Sequence, residues 1–331
     1  PGSAVSLFHG VSRGVTCAMT NPPPIVDVLL ATYRGEPFLG EQLQSIERQA
    51  FRAWRLIARD DGSDDATYAI LAEFRRRHPQ RVVLLNDSHG RLGPVGNFSR
   101  LLEQSSAPYV AFCDQDDVWR EMKLQRLLDL ICEREHPDRP VLAHSDVEVV
   151  DRKLNPLAPS LWRYQKIAPR NCQWSRLLVQ NVVTGCACLL NAELRRRVSP
   201  IPSDAIMHDW WCALVASLTG TIVWTDETLV RYRQHGRNDT GAKAWNARYV
   251  VAQSPEFFRG AAFRAKFAAY QRQAAAVVAH QPAGLSAKEG DLLRQFSQLA
   301  KRPYSARVAF LWRHRILKTG WLRNAALLAR I

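Results

Sequence analysis

From residue 25 to about residue 150 the chain alternates short apolar runs with amphipathic stretches. Ile25–Thr32 (IVDVLLAT), Arg55–Arg59, Arg81–Leu85 and Tyr109–Cys113 read as buried strands, because short apolar runs bounded by turn residues suit strands covered on both faces. Glu41–Gln49 and Ala66–Arg77 carry helical patterning between them. This βαβα order predicts an α/β fold with a mostly parallel central sheet flanked by helices. In such sheets ligands gather beyond the carboxyl ends of the strands. Three polar turns stand at those ends: Thr32-Tyr33, the run from Asp60 to Asp65, and Asp114-Gln115-Asp116-Asp117.

A further strand at Val141–Val150 leads into a loop-rich stretch with Pro156, Pro159 and Pro169. A second alternating run covers Val182–Leu190, followed by a helix from Asp209 through Leu218 and strands at Thr221–Trp224 and Leu229–Arg233. Beyond Gly241 the chain turns Ala- and Arg-rich and helical. The pattern divides the chain into a flexible N-terminal stretch (1–20), a sheet-forming body (21–241) and a basic helical C-terminal extension (242–331). Pro1-Gly2-Ser3 reads as an expression scar, with Met19 as a natural start.

Charge sharpens this division. The chain of 331 residues carries a net charge of +14, yet residues 242–331 hold sixteen Lys or Arg against Glu256, Glu289 and Asp291, a balance of +13. The body is therefore almost neutral, unlike a uniformly basic nucleic-acid binder. The seven cysteines form no CxxC pair and mostly sit in apolar segments, so they read as reduced core residues of a cytoplasmic protein. No apolar run approaches the roughly 20 residues that span a bilayer, and no signal peptide is apparent.

Asp114-x-Asp116 follows the strand Tyr109–Cys113. Carboxylates two apart in an extended turn can face one hard cation, Mg2+ or Mn2+, that keeps positions free for phosphate oxygens. A departing diphosphate needs that neutralisation. An isolated Asp-x-Asp is more often a solvated turn or a helix cap; its place at a strand end, two strands after another acidic turn, favours the metal. Asp60 or Asp61 can accept the imide N–H of a pyrimidine base, with Gly62 allowing the tight turn and Asp64 or Asp65 capping the next helix. Thr32 and Tyr33 stand where base or ribose would lie. The absence of GxGxxG after the first strand excludes a dinucleotide-binding dehydrogenase.

These motifs, from Ala31-Thr32-Tyr33-Arg34-Gly35-Glu36 through Cys113–Trp119 (CDQDDVW), resemble those of the family 2 glycosyltransferases. The resemblance continues through Gln180–Cys186 (QNVVTGC), Met207-His208-Asp209-Trp210-Trp211 and Tyr232–Gly236 (YRQHG), in the family's order. Within the family the set is most similar to bacterial rhamnosyltransferases of surface-polysaccharide assembly. It implies a GT-A (Rossmann-like) fold, a divalent metal, dTDP-β-L-rhamnose as donor, and inversion to an α-L-rhamnosyl product.

The resemblance implies that Asp209 takes the proton of the acceptor hydroxyl as general base; the plainer alternative is a helix cap. His208 stands where many relatives carry an acid, and can tune or replace it. His235 joins Asp116 and Asp114 as an expected metal ligand, with Arg233 and Gln234 as phosphate neighbours. Glu36, Arg91, Asn97 and Gln115 are expected on the donor side. Asn181, Thr184, Gly185, His208, Trp210 and Trp211 are expected on the acceptor or sugar side, with at least one Trp in the core. The expected partners are a nucleotide-sugar donor (dTDP-rhamnose, or a UDP-sugar for a galactosyl- or N-acetylglucosaminyltransferase) and a glycan or lipid-linked glycan acceptor. A non-catalytic nucleotide-binding or adaptor protein would have lost Asp116 or Asp209, and both are present. The basic tail, with Phe310, Trp312 and Trp321 among arginines, suits either an inner-membrane interface or an appendage packed on the body. Nucleic acid is not an expected partner.

Overall fold

The computed structural model describes residues 25–236, apart from 135 and 137, and residues 261–331. The expectations for residues 1–20, Cys17 included, and for residues 242–260 lie outside the described residues.

The first half forms as its pattern predicts: β1 (Val26–Thr32), α1 (Glu36–Glu47), β2 (Trp54–Asp60), α2 (Thr67–Arg77), β3 (Val82–Leu85), α3 (Gly93–Glu103) and β4 (Tyr109–Asp114). β1 lies between β2 and β4, parallel to both, with Thr32 beside Asp60 and Ala31 beside Asp114. That register carries all three polar turns to one edge of the sheet. Then come β5 (Val118–Trp119), α4 (Lys123–Cys132), β6 (Val141–Val150), β7 (Pro156–Ala158), α5 (Leu161–Gln165), α6 (Trp174–Leu177), β8 (Cys188–Asn191), α7 (Ala192–Val198), α8 (His208–Thr219) and β9 (Thr221–Arg233).

The strand order is β3-β2-β1-β4-β8-β6-β9-β5, with β7 on β6. The sheet is continuously parallel over the first four strands of this order, and β6 and β9 form a further parallel pair. β8 runs antiparallel to β4 and β6, and β5 runs antiparallel to β9, so the second half is mixed. Two further expectations change. Thr221–Arg233 is one strand rather than two, because register shifts around Asp146 absorb its polar middle while pairing with β6 continues. Of Val182–Leu190 only the end is strand: Gly185–Ala187 makes a turn of 3-10 helix first.

Alternation along β1 sends Val28 and Leu30 to one face and Leu29 to the other, which defines two cores. The C-terminal helices α9 (Ala261–His280), α10 (Ala287–Ser297), α11 (Tyr304–Arg313) and α12 (Trp321–Leu328) complete the core on the Leu29 face with Tyr270, Phe296 and Leu311. α8 lies within that layer, and its Trp211 is fully buried. Among the described residues no helix is long and apolar enough to cross a membrane.

Candidate active site

A cavity of about 590 Å³ opens at the sheet edge where β1, β2 and β4 end. Its wall brings together Thr32, Tyr33, Asp61, Arg91, Asn97, Asp114, Gln115, Asp116 and His235, residues spread over two hundred positions of sequence. Gln115 clips two of the turns together: Tyr33 N–H donates to its Oε1 and its Nε2 donates back to the Tyr33 carbonyl, both at 2.8 Å. Gly35 makes this approach possible, since a Cβ there would stand 2.2 Å from Gln115 Oε1. Arg91 lies over the Tyr33 ring at 4.0 Å, leaving a cation at the cavity mouth suited to phosphate.

The second turn divides its work between two aspartates. Asp61 borders the cavity and accepts the backbone N–H groups of Leu92 and Gly93, both at 2.7 Å, and Arg59 Nη1 at 2.8 Å. Asp60 does not border it. Asp60 accepts from Thr32 Oγ1 at 2.9 Å and from Ser63 N–H at 2.8 Å, closing the turn around Gly62, whose φ of +82° suits glycine. Glu36 also departs from its expected place: it is exposed, and its Oε2 accepts Ala66 N–H at the start of α2. The short acidic turn between β2 and α2 brings those amides within its reach. Asp65 accepts Thr67 N–H at 3.0 Å from one position before the helix N-cap, which is Ala66 rather than the expected Asp64 or Asp65.

The acidic turn is asymmetric. Asp116 faces the cavity, and its Oδ2 lies 2.7 Å from His235 Nε2. The His235 ring is stacked on Phe38 at 4.6 Å. Asp117 is fully buried, accepts Arg233 N–H at 3.0 Å and does not cap α4. Arg233 is committed as well: Nε donates to the Asp116 carbonyl at 2.7 Å, Nη1 to the Arg152 carbonyl at 2.6 Å, and Nη2 pairs with Glu41. It fastens the turn to β9 and is buried. Behind the turn Lys123 is fully buried, its Nζ 3.0 Å from the Trp119 ring centroid, and burial lowers its ammonium to about 8.

Burial and the neighbouring carboxylates of Asp117, Asp116 and Asp209 raise Asp114 well above the usual carboxylate range. Carboxylates that repel one another in this way are the donor set a divalent cation neutralises. Asp114, Asp116 and His235 all line the cavity, and Asp116 and His235 are in direct contact there. Asp114, Asp117 and Cys186 also converge within 4.8 Å, but Asp117 and Cys186 are sealed in the core. Burial holds the Cys186 thiol protonated, which suits neither Mg2+ nor Mn2+.

Asp209 lies beside this cluster, in the first turn of α8. Gly185 N–H donates to its Oδ2 at 3.0 Å, its own neighbour Trp210 N–H donates to Oδ1, and the Asn181 side chain also hydrogen-bonds to it. Burial outweighs these bonds and raises its carboxyl to about 6. Gly185 must be glycine: a Cβ would stand 2.7 Å from His208 Nε2 and 3.3 Å from Asp209 Cβ.

Three acceptor-side expectations are corrected. His208 is buried between Phe98 and Phe112, and burial lowers its imidazole to about 3, so it is a neutral core ring rather than a substitute acid. Trp210 and Trp211 donate their indole N–H groups to the carbonyls of Leu177 and Val198 within the core, leaving neither face for a sugar. Gly185 serves Asp209 through its backbone. Thr184 is half-buried just before it. Phe38, Arg152 and Met207 line the cavity without having been singled out in sequence. Phe38 sits at i+2 from Glu36 in a motif already noted; nothing in the sequence marks Arg152.

A mixed sheet whose parallel half ends in an acidic, cation-suited turn is the GT-A glycosyltransferase fold. Residues 27–190, just under half of the chain, match the family model "Glycosyl transferase family 2". A Mycobacterium bovis protein is 27% identical over 236 residues, covering 68% of this chain and 62% of that protein. The chain thus spans less than two thirds of that relative's length. The dTDP-rhamnosyl transferase RfbG of Shigella flexneri is 25% identical over 233 residues, covering 66% of this chain and 76% of RfbG. Among solved structures, S. aureus TarS 1-349 in complex with UDP-GlcNAc shares the fold, with a TM-score of 0.54, 16% identity, and coverage of 87% of this chain and 80% of that one.

Proposed function

We propose that the chain is an inverting, metal-dependent glycosyltransferase that moves L-rhamnose from dTDP-β-L-rhamnose to a hydroxyl of a cell-envelope glycan. The observation that carries the transferase reading is the closeness of the Asp209 carboxylate to Asp114, which lines the cavity together with Asp116 and His235. The rhamnose donor draws its support from the likeness to RfbG and from the QNVVTGC and MHDWW motifs.

In this reading Asp61 and Tyr33 border the nucleoside, and Arg91 meets the diphosphate. Asp114, Asp116 and His235 hold Mg2+ or Mn2+, which when bound offsets the charge that grows on the leaving diphosphate. Asp209 is the base. Its raised carboxyl is ionised at neutral pH yet closer in proton affinity to an alcohol under attack than an ordinary aspartate is. The hydrogen bonds from Gly185 and Asn181 fix its direction. Attack opposite the departing diphosphate inverts the anomeric centre.

The test is turnover with dTDP-β-L-rhamnose and with UDP-glucose, UDP-galactose and UDP-N-acetylglucosamine, with Mn2+ and after chelation, the product linkage read by NMR. An α-linked rhamnoside formed only with metal is expected. Turnover with a UDP-sugar alone reassigns the donor, and full activity after chelation removes the metal from the reading.

A further inference from the structure

Residues 301–331 hold eight Lys or Arg and no Asp or Glu. Their helices α11 and α12 form a hairpin: at its open end the Tyr304 hydroxyl donates to the Leu328 carbonyl at 3.1 Å, and residues 314–320 close the other. The inner face is already satisfied, since Phe310, Leu311, Ile316 and Leu327 are buried in the shared core. At the closed end, Trp312 in the last turn of α11 and Trp321 in the first turn of α12 are 66% and 76% exposed. Leu322 beside them is exposed too. Two indoles left in water at one end of an otherwise packed hairpin serve no folding purpose.

We propose that the closed end of this hairpin docks on an anionic lipid bilayer. The indoles enter the interfacial layer, while Arg313 and Arg315, both exposed, meet lipid phosphates. Charge selects this occupant. A second copy would set its own acid-free basic segment against this one, whereas an anionic bilayer supplies the opposite sign.

The same connection touches the acceptor side of the body. Thr319 N–H donates to Gln180 Oε1 at 2.6 Å, Asn171 Nδ2 donates to Thr319 Oγ1 at 2.8 Å, and Arg323 donates to the Gln165 carbonyl. Gln180 adjoins Asn181, the residue that reaches Asp209. Docking here holds the acceptor side at the membrane surface, so the acceptor class is a glycan carried on a lipid. That last step rests on the transferase reading; the docking does not.

The experiment is flotation of the full chain with phosphatidylcholine vesicles, with and without phosphatidylglycerol, in the absence of donor and acceptor. Binding to the anionic vesicles is expected, falling about tenfold in Trp312→Ala/Trp321→Ala. Arg313→Gln/Arg315→Gln should weaken binding and flatten its salt dependence, and Trp224→Ala, an exposed indole on β9, should leave it unchanged. Absence of binding to anionic vesicles, or equal binding by the double Trp variant, overturns the proposal. A dimer in sedimentation that the double Trp variant abolishes would assign the surface to a second copy instead. Because no sugar is transferred in this assay, its failure leaves the transferase reading standing, and an inactive enzyme leaves the docking standing.

Discussion

The donor edge and the acceptor side are built in opposite ways. At the donor edge, short polar turns follow β1, β2 and β4 and pair with one another, Thr32 with Asp60 and Tyr33 with Gln115. Parallel pairing alone brings them together. On the acceptor side, Asp209 is held by the Gly185 backbone and the Asn181 side chain, while helices from residue 261 onward cover the neighbouring core. One region is an edge that strand register assembles; the other takes its chemistry from burial. Substitutions at the two should therefore separate donor binding from the chemical step.

The largest separation is expected from Asp209→Asn. Turnover should fall by about a thousandfold, within the range for loss of a general base, while calorimetric affinity for dTDP with Mn2+ stays unchanged. Equal loss of both would merge the two regions. Gly185→Ala is next: the added Cβ meets His208 and Asp209, so turnover should drop about a hundredfold with donor affinity kept. Overpacking there should also cost about 1–3 kcal/mol of stability by denaturant titration.

Gly35→Ala tests the opposite side. Its Cβ displaces the Gln115 clip, so donor affinity should weaken by about tenfold, with turnover at saturating donor little changed. The smallest effect near neutrality is the pH response. A base raised to about 6 is ionised above that value and protonated below it. The rate should level off above about pH 6 and fall about tenfold per unit below, a limb that donor binding does not share. Stability moves the other way: the folded-state rise favours the protonated form, so this group's contribution is complete below its unfolded value and fades as pH rises through about 6.

Much of the donor edge was legible because strand ends and turn residues are local signals. Apolar runs marked the first four strands to within a residue or two, and the acidic turn stood out at the end of β4. What local pattern could not divide was labour within each turn. Asp60 and Asp61 are neighbours of one type, yet one closes a turn and the other borders the cavity. Asp116 and Asp117 likewise differ only in which way the chain turns them. Lys123, on α4, is fully buried, a placement that its charge does not foretell.

By itself, the sequence determined the α/β order, the three strand-end turns and the basic, acid-poor tail, because each depends on residues adjacent along the chain. Tertiary structure decided the mixed second half of the sheet, the burial of His208, Trp210 and Trp211, and the exposure of Trp312 and Trp321. Those outcomes depend on which surfaces meet. A histidine or tryptophan is apolar enough for a core and polar enough for a site, and only the packing around it decides between them.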